Sequence, residues 1–106
     1  MIQCPDFLPL GSVVVLRGNE KKMLIVGRAL VFDKDDGTKE YYDYTFVPYP
    51  EGLIRDVVIY SNHDCIERVE FEGYRDDDDA KIIETLQEVL PKVDIPKATP
   101  KPVDAW

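Results

Sequence analysis

The sequence predicts an α+β domain: a small antiparallel sheet of five strands, closed as an SH3-like barrel or strongly curled, followed by one C-terminal helix. Three observations carry this. Five short runs of β-forming residues succeed one another with turn chemistry between them. One stretch with a 3.6-residue apolar period follows the last run. The chain has 106 residues, which suits one domain with a modest core. A twisted open sheet with the helix packed across it is the alternative arrangement.

The elements follow in order. Pro5 and Pro9 keep the lead-in from Cys4 to Gly11 extended. The β-branched run at 12–17 is the first strand, and Gly18-Asn19-Glu20 turns the chain. Residues 22–32 form a long second strand with apolar residues on both faces, which predicts a central strand covered on both sides. Gly27 interrupts it and marks a bend or bulge. Asp36-Gly37 is a hairpin turn leading into a tyrosine-rich third strand at 39–47, which Pro48 and Pro50 end. Residues 57–61 form the fourth strand, and Asn62 to Cys65 a single helical turn. In the fifth strand, 67–72, Glu67, Val69 and Phe71 alternate with Arg68, Glu70 and Glu72, which predicts Val69 and Phe71 inward. Asp76 to Asp79 cap and charge the start of a helix at 78–90, whose stripe is Ile82, Ile83, Leu86, Val89 and Leu90. Pro91 stops it. The domain is thus 1–91, and 92–106 reads as a Pro/Lys-rich flexible tail, or as a peptide that docks Val103 and Trp106 into a groove.

Composition narrows the function. Thirteen Lys and Arg against 21 Asp and Glu give a net charge of -8. Nucleic acid and anionic membrane surfaces are poor partners for such a chain, because both are bound through cations. The apolar runs are far too short to span a bilayer, and the first residues lack the basic region of a signal peptide. Two cysteines, Cys4 and Cys65, read as free thiols in a reducing cytoplasm. With the single His63 they cannot form a metal cluster, and no cofactor-binding motif is present.

No catalytic set emerges. His63-Asp64-Cys65 contains the parts of a thiol nucleophile, but sequence neighbours seldom converge on one reacting atom, so turn residues are the expected role. Asp33, Asp35 and Asp36 lack the rest of a calcium loop. The aromatic residues say more. Tyr41, Tyr42, Tyr44, Tyr49 and Tyr60 gather around the third and fourth strands, and adjacent Tyr41 and Tyr42 must face opposite sides of a sheet. Uncovered aromatics favour protein contacts; the competing reading is packing under the helix.

The blocks LPLGSVVVLRGNEKKMLIVGR (8–28), YYDY (41–44), YPEGL (49–53) and NHDCIERVEFEGY (62–74) resemble a small family from Gram-positive bacteria, domain of unknown function 4176. That resemblance implies a cytoplasmic accessory factor encoded beside LXG-type toxins of the type VII secretion system, acting as a chaperone or adaptor for the toxin encoded nearby. An immunity protein that neutralises the toxin is the alternative, and a small enzyme a further one. The expected protein-binding surface is Tyr41, Tyr44, Phe46, Tyr49, Leu53 and Tyr60, with Ile83 and Leu90 if the helix rim contributes. Stoichiometry and oligomeric state are open at this level.

Overall fold

A computed structural model describes residues 2–100. Five strands are present: β1 (Val13–Leu16), β2 (Lys22–Asp33), β3 (Lys39–Pro48), β4 (Ile59–Ser61) and β5 (Ile66–Phe71). A single helix, α1 (Asp77–Val89), follows β5. Short 3-10 turns occupy His63–Cys65 and Leu90–Lys92. The strands form one antiparallel sheet in the order β4-β3-β2-β1-β5.

Local chemistry explains the best-formed pieces. The β2–β3 hairpin closes where Lys34 donates to the Thr38 carbonyl at 2.8 Å and Gly37, at φ 86°, donates to the Lys34 carbonyl. The Asp36 carboxylate braces the turn by accepting from the Thr38 amide at 3.0 Å and the Thr38 hydroxyl at 2.6 Å. At Gly27 the β2–β3 register shifts, as a strand glycine suggests. A Cβ there would stand 3.1 Å from Thr45 Oγ1. Asp76 caps α1 by accepting from the Asp79 amide at 3.0 Å, and three aspartates fill the first turn beside the positive end of the helix dipole.

The sheet does not close into a barrel. β4 and β5 are its two edges and do not pair with each other. β4 is only three residues long, because Arg55 and Asp56 turn at φ 56° and 57° and the Val57 amide donates to the Ile54 carbonyl. The strand expected at 57–61 therefore starts at Ile59. β5 turns back through His63–Cys65 and pairs with β1, from Leu16↔Ile66 to Val13↔Phe71. Among the described residues none covers the outer side of this edge strand, and Val69 and Phe71, expected inward, are 46% and 62% exposed. β2 is central in the sheet but only partly enclosed: Met23 and Ile25 are buried while Val26 and Val31 are exposed. The strand buried along its whole length is β1.

The core consists of Ile2, Phe7, Val14, Leu16, Met23, Ile25, Tyr41, Tyr44, Phe46 and Leu90. The extended lead-in supplies Ile2 and Phe7, and α1 adds Ile83 and Leu86 at its margin. Polar contacts tie the helix to the lead-in and sheet. Arg28 pairs with Asp79 at 2.8 Å, with both side chains largely covered. Arg75 donates to the Phe7 carbonyl at 3.1 Å and pairs with Asp79 at 3.0 Å. The Ile2 amide donates to the Leu90 carbonyl. Ile82 and Val89 of the predicted stripe remain exposed, so the helix buries a narrower face than its period implies.

Residues of the tail at 93–98 lie against the sheet and core. Lys97 forms a parallel bridge with Tyr41, and Ala98 is buried. Val93 and Ile95 pack on the core. The expectation that Val103 and Trp106 dock in a groove lies outside the described residues.

Candidate functional site

The expected aromatic surface divides in two. Tyr41, Tyr44 and Phe46 are fully buried and Leu90 nearly so; these four are core residues and cannot make a docking face. Ile83 and Tyr60 are half-buried. Tyr49 is 43% exposed and Leu53 63% exposed. Tyr41 and Tyr44 share one core despite their odd separation because regular alternation breaks between them. Between the pairs Arg28↔Tyr44 and Leu30↔Tyr42, Ala29 sits at φ 57°, a left-handed conformation in the middle of β2. Tyr42 consequently faces away from the core.

Tyr42 belongs to a second aromatic group. Its ring lies 5.8 Å from Phe32 and 5.7 Å from Tyr60, and Phe32 meets Tyr60 edge-on at 4.3 Å. All three are half-buried, which leaves part of each ring open to solvent. Phe32 and Tyr42 were missing from the expected surface. Counting back from the Asp36-Gly37 turn would have found them, since Asp33↔Lys39 leads to Phe32↔Glu40 and Leu30↔Tyr42, a diagonal Phe32/Tyr42 pair.

Chain-adjacent to this group is the loop from Tyr49 to Val57, whose Tyr49–Pro50 peptide bond is cis. It presents Tyr49, Leu53, Ile54 and Val57, all exposed, before the chain enters β4 and Tyr60. One end of the loop is held by Lys21, which pairs with Glu51 at 2.7 Å, and by the Gly52 amide donating to the Pro48 carbonyl at 2.7 Å. Singly exposed apolar residues are ordinary; four within nine residues are a concentration that water does not favour.

A polar centre lies beneath the tail. Asp43 is fully buried, and its Oδ2 accepts from the His63 amide at 2.9 Å and from Lys97 Nζ at 3.0 Å. Asn62 Oδ1 accepts from the Asp43 amide at 2.9 Å, and Asn62 Nδ2 donates to the Ala98 carbonyl at 2.8 Å. A small cleft of about 280 Å³ adjoins this centre, lined by Gln3, Cys4, Pro5, His63, Asp64 and Lys97. His63 Nδ1 is engaged by the Tyr44 hydroxyl at 2.8 Å, and that hydroxyl also accepts from the Leu8 amide at 3.0 Å. Burial pushes the Tyr44 hydroxyl up to about 12.

The cleft offers weak thiol chemistry. Burial, then the charges of Asp43 and Asp6, push the Cys4 thiol above its ordinary value, so the reactive thiolate is disfavoured at neutral pH. Cys65 Sγ lies 3.6 Å from Asp64 Oδ1 and packs against the core. Both cysteines are free thiols. Among the described residues, no three His, Cys, Asp or Glu side chains converge as metal ligands, and no helix is long and apolar enough to cross a membrane.

Fold and surface together define a small α+β domain: an open five-stranded antiparallel sheet, a helix after its last strand, an exposed apolar loop and a separate group of half-buried aromatic rings. The family described as domain of unknown function (DUF4176) matches residues 7–82, well over half the chain, and the chain belongs to it. Neither a curated protein nor a solved structure matches the chain.

Proposed function

We propose that this domain is a cytoplasmic protein-binding accessory factor, a chaperone or adaptor for an LXG-type toxin exported by a type VII secretion system. The observation that supports binding is the concentration of exposed Tyr49, Leu53, Ile54 and Val57 within one loop, which leads along the chain into β4 and the partly open Tyr60 ring. Such a patch gains free energy on covering at about 25 cal/mol per Å² of apolar surface removed from water. Aromatic side chains lose little conformational freedom when fixed, which suits them to contact surfaces. The net charge of -8 keeps the carrier dispersed while an apolar client is held. The toxin as client comes from the family resemblance of the sequence blocks.

Co-expression with the LXG protein encoded nearby tests this reading. The two should co-purify as a stable complex, and loss of this gene should leave the toxin insoluble or unexported. A toxin that stays soluble and is exported normally in the deletion strain overturns it.

A further inference from the structure

On the side of β3 away from β2, two different segments complete the sheet. β4 pairs with Tyr44, Thr45 and Phe46. Where β4 stops, the chain's own tail takes the place of a strand, running parallel to β3. The Tyr41 amide donates to the Pro96 carbonyl at 3.1 Å, and the Ala98 amide donates to the Tyr41 carbonyl at 2.8 Å. Three side chains read this segment. Asn62 Nδ2 takes the Ala98 carbonyl, buried Asp43 takes the Lys97 ammonium, and the Tyr41 ring lies 6.0 Å beneath that ammonium. Besides Lys97, the Asp43 carboxylate interacts with the Tyr41 hydroxyl, which it helps hold protonated.

Receiver and occupant have different standing. Tyr41, Asp43, Asn62 and His63 all fall within the family-matched residues 7–82, whereas Pro96, Lys97 and Ala98 fall outside them. The receiving edge lies within the family-matched residues, and the segment that fills it lies beyond them.

We propose that the β3 edge at Tyr41–Asp43 is a peptide-binding slot for an extended, lysine-bearing segment of a partner protein, which the chain's own 96–98 segment fills in cis. Main-chain pairing supplies sequence-independent affinity, as in other strand additions. Asp43 selects a cation, since an unpaired carboxylate at a buried position is costly. Buried Ala98 admits only a small residue after the lysine. A tethered segment acts at an effective concentration on the order of millimolar, so it masks weaker ligands and must be displaced by tighter ones. The slot is distinct from the apolar loop at 49–57 and stands whether or not that loop binds a toxin.

The test uses the isotope-labelled full chain and a synthetic peptide of residues 95–100, Ile-Pro-Lys-Ala-Thr-Pro. Ala98→Pro removes the donor to the Tyr41 carbonyl and loosens the cis segment while leaving every receiving residue intact. This variant should bind the peptide roughly tenfold more tightly than the unaltered chain, the factor set by a competitor at about 1 mM effective concentration whose own Kd is on the order of 0.1 mM. Amide shifts should centre on Tyr41, Asp43 and Asn62, and a peptide with glutamate in place of the lysine should not bind. A folded variant with no shifts at those amides up to millimolar peptide overturns the proposal. So does equal binding of the glutamate peptide. Hydrogen exchange on the unaltered chain gives a second reading. The Tyr41 and Ala98 amides should exchange by local opening, faster than β2–β3 amides such as Phe46. Exchange only at the global unfolding rate would make the tail a fixed part of the fold and overturn the slot.

Discussion

The Tyr44 hydroxyl and His63 Nδ1 meet at 2.8 Å, and through that contact the lead-in, β3 and the turn before β5 are fastened at one point. The same hydroxyl accepts from the Leu8 amide, while the ring packs edge-on against Phe7 at 5.5 Å. Tyr44 is thus a structural hub with no surface left for a partner.

Tyr44→Phe keeps the ring and deletes the hub's polar contacts. It leaves the Leu8 amide without its acceptor, which costs about 1–3 kcal/mol. Urea denaturation should show a lower midpoint with an unchanged slope. A midpoint equal to that of the unaltered chain would show that Tyr44 contributes only through its ring.

Asn62→Ala removes one side chain that holds both the Asp43 amide and the Ala98 carbonyl. The expected cost is about 2 kcal/mol, in the range for buried polar groups left unpaired. Protection of the Ala98 amide should fall more than that of β2–β3. Uniform loss of protection across the sheet would contradict a local clamp.

Gly73→Ala tests the close approach of β5's end to β1. An added Cβ would collide with the Leu10 carbonyl oxygen and come within 2.9 Å of the Ser12 nitrogen. The backbone must shift, and the Gly73 amide bond to Ser12 Oγ at 2.9 Å is lost with it. Thermal unfolding should register a loss of about 1–3 kcal/mol; a neutral result would mean this junction yields freely.

Stability should be greatest near neutral pH and fall at both extremes. Asp36 is held below its ordinary value by the Thr38 hydroxyl, Glu51 by Lys21 and Glu70 by Arg68. Folded-state values below the unfolded ones mean that the unfolded chain binds more protons in acid. Their contribution is present above about pH 4.5 and is lost as pH falls further. These carboxylates are exposed, so the acid effect is small and screened by salt. Cys4, Tyr44 and, further still, Tyr41 are raised, chiefly by burial. Their contribution holds below their unfolded values of 9.0 and 10.0 and is lost at higher pH, for Tyr44 between about 10 and about 12. Denaturant midpoints from pH 3 to 11 check both limbs, and Tyr44→Phe should soften the alkaline one. An alkaline limb as steep as before would contradict that assignment.

What could be read from the sequence was what short-range chemistry decides. Asp36-Gly37, the Asp76 cap and the Gly27 bulge each act within a few residues, and each is where the sequence predicts it. The misread features depend on distant partners. Val69 and Phe71 alternate as a half-buried strand should, but β5 is an edge and both side chains are exposed among the described residues. Tyr41 and Tyr44 are both core although three residues apart, opposite the stretch of β2 where Ala29 is left-handed. The tail reads as flexible from its prolines and lysines, yet Lys97 finds a buried aspartate 54 residues earlier in the chain. Of the expected binding residues, Tyr49 and Leu53 are exposed and Tyr60 and Ile83 half-buried; the first two lie in a loop where proline and glycine set the backbone.

The central claim, that the 49–57 loop is a protein-binding surface, is tested most directly by the affinity of Leu53→Asp/Ile54→Asp for the co-encoded LXG protein. Both residues are exposed, so unfolding stability should change by no more than about 0.5 kcal/mol. Isothermal titration should show affinity for the toxin reduced at least about a hundredfold, as loss of a central apolar anchor pair implies. A double variant that binds the toxin as tightly as the unaltered chain would contradict the account.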